Sequence, residues 1–137
     1  MPTTSTSDAS STTASPGLAR IGQIHVGVAD LERATVFYRD VLGVRFLFQV
    51  PGMAFFDCAG VRLMLGAAER ADQPRHASIL YFRVDDIQAT AASLRARQVR
   101  FEGEPHLVAR LEQHDLWLAF FRDSEDNIMA LMSEVAR

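Results

Sequence analysis

Residues 21–48 read IGQIHVGVADLERATVFYRDVLGVRFLF, and the order of patterns within them sets the architecture expected of the chain. Ile21–Val28 alternates and is rich in β-branched residues, which predicts a strand. Asp30 then offers an N-cap with Glu32 in the first turn, and Leu31, Ala34, Tyr38, Val41 and Leu42 follow at helical spacing. Gly43 supplies a left-handed stop. Working outward, three short strands are expected at Val44–Val50, Met53–Cys58 and Val61–Leu65, parted by the turn pairs Pro51-Gly52 and Ala59-Gly60. The stretch Gly66–Arg75, with Pro74, reads as a polar linker.

The same order then restarts. Ser78–Val84 predicts a strand and Asp85-Asp86 a cap, and Ile87, Ala91 and Leu94 form the apolar stripe of a second helix. Phe101, Leu116–Arg122 and Ile128–Ser133 supply later strands, with Asp123–Asn127 as the last turn. Val28-Ala29-Asp30-Leu31 and Val84-Asp85-Asp86-Ile87 correspond at an offset of 56 residues, so an internal duplication is legible in one chain. The expected fold is α+β: two tandem βαβββ modules, residues 18–66 and 77–135, joined by a linker at 67–76 in one domain, 18–137.

A chain of 137 residues fits one domain and buries roughly two-thirds of its unfolded surface, so its core needs no metal or disulfide. Residues 2–16, PTTSTSDASSTTASP, are too polar to order themselves, and residues 1–17 are expected to form a disordered tail without the apolar segment of a secretory signal. The single cysteine, Cys58, cannot close an internal disulfide, which fits a cytoplasmic location. Every basic residue is Arg, and the arginines are interleaved with carboxylates for a net charge of −3, so no nucleic-acid face is expected. Apolar runs are of strand length, which predicts no membrane span.

The segment DLERATVFYRDVLG, with ILYFRVDDI and LAFFRDSEDNIMAL in the second half, resembles the glyoxalase/bleomycin-resistance/dioxygenase superfamily, also called the vicinal oxygen chelate fold. The resemblance covers about Leu18 to Val135. It implies modules whose mixed sheet curls around a central cavity, and a homodimer. It also implies four strand positions that chelate one divalent ion in the metal-dependent members. In this chain those positions hold Gln23, Met64, Ile79 and Ala130. Glutamine is a compatible donor. Isoleucine and alanine offer none, and a thioether suits soft ions rather than the hard or borderline ions of this chemistry. No cofactor is therefore expected, and a divalent metal is disfavoured.

Alternation places Gln23 and His25 on one strand face, and the repeat sets Tyr81 against His25 and Ile79 against Gln23. The expected ligand-binding set is Gln23, His25, Met64, Ile79, Tyr81, Trp117, Ala130 and Met132: apolar walls with a few orienting polar tips. Its bland counterpart is a satisfied strand histidine, a cavity-wall tyrosine and core aromatics. His25 and Tyr81 are the candidate catalytic groups, His25 because imidazole titrates near neutral pH. A weaker alternative is a metal on Gln23 and His25, or one drawing His106 and His114, flanking a loop before Trp117, together with His25 or Glu102. Beside a subunit retained for pairing with a vestigial cavity, two further functions follow. One is a small-molecule-binding protein with a degenerate metal site, taking an apolar or mixed-polarity ligand. The other is a glyoxalase-like lyase or isomerase, or a dioxygenase, built on Gln23 and His25 and outside the standard glyoxalase I pattern.

Overall fold

The computed structural model describes residues 17–67 and 78–137. Nearly all of the expected linker and of the expected tail lie outside the described residues, except that Gly66 and Ala67, read as the start of the linker, end the last strand of module one. Module one runs β1 (Gln23–Val28), α1 (Leu31–Val36), a π-helical turn (Phe37–Val41), β2 (Arg45–Val50), β3 (Met53–Cys58) and β4 (Val61–Ala67). Module two runs β5 (Leu80–Arg83), α2 (Ile87–Ala96), β6 (Arg100–Phe101), β7 (His106–Arg110), β8 (His114–Arg122) and β9 (Ile128–Ala136).

The caps hold each helix where the carboxylates stand. The Asp30 side chain accepts from the Arg33 N–H at 3.1 Å, and Asp86 accepts from Ala89 N–H at 3.0 Å. The first helix widens over its second half, where Leu42 N–H reaches the carbonyl of Phe37 rather than of Tyr38. Gly43, at φ +76°, turns the chain out of the helix and into β2.

The two sheets have the same topology. In module one the order is β1-β4-β3-β2, with β1 parallel to β4 and the rest antiparallel. In module two β5 is parallel to β9, β8 follows, and β6 and β7 lie one after the other along β8 as a broken fourth strand. The expected loop Leu107–Gln113 is thus corrected: most of it is β7, held against β8 with a register shift between Leu107 and Ala109.

One apolar core serves both modules. The helix-bearing faces of the two sheets supply Val26, Phe56 and Leu65 from one side and Phe121, Met129 and Leu131 from the other, with Tyr38 and Leu94 from the helices. Fully burying a side chain of this size stabilises by ~1.5–3 kcal/mol. A buried polar junction fastens the modules as well. Asp123, 2% exposed, accepts from the Tyr38 hydroxyl at 2.7 Å, from the N–H groups of Glu125 and Asn127 at 2.8 Å each, and from the Asn127 side chain at 3.0 Å. Glu125 accepts from Ala29 N–H and from the Arg33 guanidinium, both at 2.6 Å. Arg33 is largely exposed, so that ion pair adds at most about 1 kcal/mol. The bond from Tyr38 to a buried carboxylate, at ~1.5–3 kcal/mol, is the stronger tie.

Candidate functional site

Each sheet has a second face that looks away from the shared core, and strand pairing arranges its side chains in rows. On module one, Gln23, Arg62, Asp57 and Arg45 form one row across four strands. The next row is His25, Met64, Phe55 and Phe48, and the third is Gly27, Gly66, Met53 and Val50. Gln23 and His25 are exposed while Val26 and Val28 are buried against the helix side, so His25 lies on the open face. The open face of module two carries Tyr81, Ala130 and Phe120 in one row and Arg83, Met132, Leu118 and His106 in the next.

His25 has a specific seat. A Cβ built on Gly66 would stand 2.6 Å from the His25 Nε2 and 3.1 Å from its Cδ2. The imidazole therefore lies over the bare backbone of Gly66, in space that any side chain there would claim. Beside it, the Gln23 amide approaches the Met64 sulfur at 3.9 Å. Phe55 and Phe48 stack at 4.6 Å with 26° between their planes, and the Arg62 guanidinium sits 5.7 Å from the Phe55 centroid. On module two, Tyr81 meets Phe120 edge-on at 6.2 Å, and His106 meets Phe120 at 6.4 Å. Ala130 lies between Tyr81 and Phe120 in the register and is wholly inaccessible, so the two rings roof it.

The expected site residues divide between the sheets. Gln23, His25 and Met64 share the open face of module one, whereas Tyr81, Ala130 and Met132 share that of module two. Ile79 is half-buried just before β5. Trp117 is a correction. It pairs with Ser133, one residue out of phase with the Leu118–Met132 pair, and packs on the core rather than on the open face. His106 opens β7, and His114 opens β8 opposite Ala136, four residues along from the Leu118 that pairs with His106. Glu102 pairs with Arg122 at 2.9 Å. A cavity of about 690 Å³ between the modules is lined by Tyr81, Arg83, Arg45, Asp57, Thr90 and the apolar residues around them, but not by Gln23, His25, Met64 or Ala130. Cys58 borders it on the core side, and burial pushes its thiol up, which makes it a poor nucleophile.

The chelate positions do not fit a hard divalent ion. Gln23 is the single oxygen or nitrogen donor, its amide is turned to the Met64 sulfur, and the alanine at the fourth position lies beneath two rings. Among the described residues there is no group of three His, Cys, Asp or Glu able to hold a metal ion. No helix among them is long and apolar enough to cross a membrane.

Comparison with known proteins agrees with this fold. Residues 20–131 match the family model described as Glyoxalase/Bleomycin resistance protein/Dioxygenase superfamily. The fold is similar to a lactoylglutathione lyase from Agrobacterium tumefaciens, with 25% identity, TM-score 0.68, and coverage of 87% of this chain and 96% of that one. It is also similar to a superfamily member from Sphaerobacter thermophilus, with 24% identity, TM-score 0.70, and coverage of 85% and 98%. A third similar structure is a glyoxalase/bleomycin resistance protein/dioxygenase from Nocardioides, with 22% identity, TM-score 0.68, and coverage of 90% and 87%. No curated protein sequence matches the chain. The duplicated topology and the family match across nearly all of the folded chain lead to one conclusion: this protein belongs to the glyoxalase/bleomycin resistance protein/dioxygenase superfamily.

Proposed function

We propose that this protein binds a small molecule on its open sheet faces without a divalent metal. The observation that carries the reading is the chemistry at the chelate positions: one amide, one thioether, one isoleucine and one roofed alanine, set among exposed aromatic side chains. Apolar surface with a few polar tips is what ligand pockets present. The protein works as a homodimer in the cytoplasm. β1 and β5 are edge strands at corresponding places in the duplicate, and joining β1 of one copy to β5 of another continues both sheets. That pairing also covers the apolar surface beside Tyr81 on β5 and brings the two open faces around one ligand.

A thermal-shift panel of small molecules, run with and without EDTA, tests the reading. Stabilisation by a ligand that EDTA leaves unchanged is the expected result, since a ligand that binds only the folded state raises its melting temperature. Stabilisation that disappears in EDTA would overturn it.

A second reading rests on His25. Its exposure on the open face, and the similarity to a lactoylglutathione lyase, favour a lyase, isomerase or dioxygenase with His25 as general base, Gln23 beside it and Tyr81 as acid. His106, at the start of β7 on the Phe120 side of the second face, is the second histidine best placed to join them. Replacing His25 by Gln then abolishes turnover, and unchanged turnover removes His25 from the mechanism.

A further inference from the structure

We infer that the ligand of module one's open face is a planar aromatic molecule carrying one negative charge, an inference that rests on the small-molecule reading above. The middle row of that face is aromatic and soft. Phe48 and Phe55 stack nearly parallel, Met64 follows on the next strand, and His25 pairs with Met64 at the end of the row, its ring over the bare backbone of Gly66. Phe55 is 8% exposed beneath its neighbours, whereas Phe48 is 45% exposed and offers its ring to whatever arrives. Rings and thioethers reward a planar π-system beyond the area it buries, by offset stacking and sulfur–ring contact. A puckered aliphatic body gains the area term alone.

Charge comes from the adjacent row, one i to i+2 step of about 6.6–6.8 Å along the strands. There Asp57 faces Arg45 at 3.9 Å, and the Arg62 guanidinium makes no hydrogen bond or ion pair among the described residues. Its guanidinium is held over the edge of the aromatic row by the Phe55 ring, which leaves its forked donors free for a carboxylate or similar group. A fused two-ring body lying on Phe48 and reaching toward Met64 therefore places a substituent beside Arg62, whose guanidinium covers the Phe55 ring between them. The second face suits the same occupant, because Tyr81 and Phe120 meet over Ala130 and His106 lies against Phe120 from the next row.

Calorimetric titration of the full chain with 2-naphthoate and with its saturated twin, decahydro-2-naphthoate, tests the inference, because the two share size and charge but not flatness. The aromatic probe is expected to bind about tenfold more tightly. Phe48→Ala, at an exposed position that leaves the fold intact, should weaken naphthoate by about threefold to tenfold. Arg62→Gln should do the same while leaving 2-naphthol, uncharged at neutral pH, unaffected. Equal or tighter binding of the saturated twin overturns the aromatic class and leaves the small-molecule reading standing. Naphthoate binding that ignores both substitutions overturns the site. No heat from either probe overturns the inference, and the thermal-shift panel then decides the broader reading by itself.

Discussion

In module one, the turn between β3 and β4 is short, and its side-chain link is Asp57 accepting from the N–H of Gly60. In module two, the equivalent turn between β8 and β9 carries Asp123, Glu125 and Asn127 and inserts two carboxylates into the start of module one. The two turns stand at matching places in a duplicated fold, each near the strand–helix junction of the other module. Around the β8–β9 turn the junction is filled by buried hydrogen bonds. Around the β3–β4 turn the cavity of about 690 Å³ opens between Asp57–Ala59 and Val84, Thr90 and Leu94. Duplication has thus preserved the apolar core while the polar surroundings of the two modules diverged. The open faces differ in the same way, with His25, Met64 and Phe55 on one and Tyr81, Ala130 and Phe120 on the other.

If the filled junction carries the coupling of the modules, Asp123→Ala is the most damaging single change. It strands the Tyr38 hydroxyl, the Asn127 amide and two backbone N–H groups, and should cost about 3–5 kcal/mol in chemical denaturation. Tyr38→Phe removes one of those bonds and should cost about 1.5–3 kcal/mol. Burial, followed by the charge of Asp123, raises the Tyr38 pKa above its ordinary value near 10. The folded state then holds that proton more tightly than the unfolded chain, so the stability it contributes is full below pH 10 and declines above it. The phenylalanine variant should lack that alkaline decline.

Glu125→Gln is expected to cost about 1 kcal/mol, because its Arg33 partner is solvated. Burial alone would raise the Glu125 carboxyl, but the Arg33 bond and the N–H groups of Ala29 and Asp30 outweigh it and hold the pKa below the usual range. Its contribution is present above the ordinary glutamate pKa of about 4.3 and is lost as pH falls through the depressed folded value. The glutamine variant should therefore have a flatter acid limb in a stability–pH profile. Smallest in stability is Gly66→Ala, since the group its methyl meets is the end of a side chain that can swing. A change under about 1 kcal/mol is expected, together with a shifted His25 resonance in NMR. An unmoved His25 would end the account of its seat.

Much of the fold was legible because caps and periodicity are local. Asp30, Gly43 and Asp86 stop and start the helices where the residues themselves require it. The β7 strand was not legible, because His106–Arg110 does not alternate and is strand only through pairing with β8. Trp117 illustrates the limit for the site. Alternation sorts a strand into two sides, but only the pairing of Leu118 with Met132 says which side meets the core. The Tyr38–Asp123 bond joins residues 85 apart and left no sequence signal.

The central claim, a superfamily member that binds its ligand without a metal, is tested most directly by elemental analysis of untagged purified protein, paired with a melting curve in chelator. Nickel, zinc, iron and manganese are expected well below one per chain, with a melting temperature that chelator leaves unchanged. One ion per chain, removed by chelator with a fall in melting temperature, would contradict it.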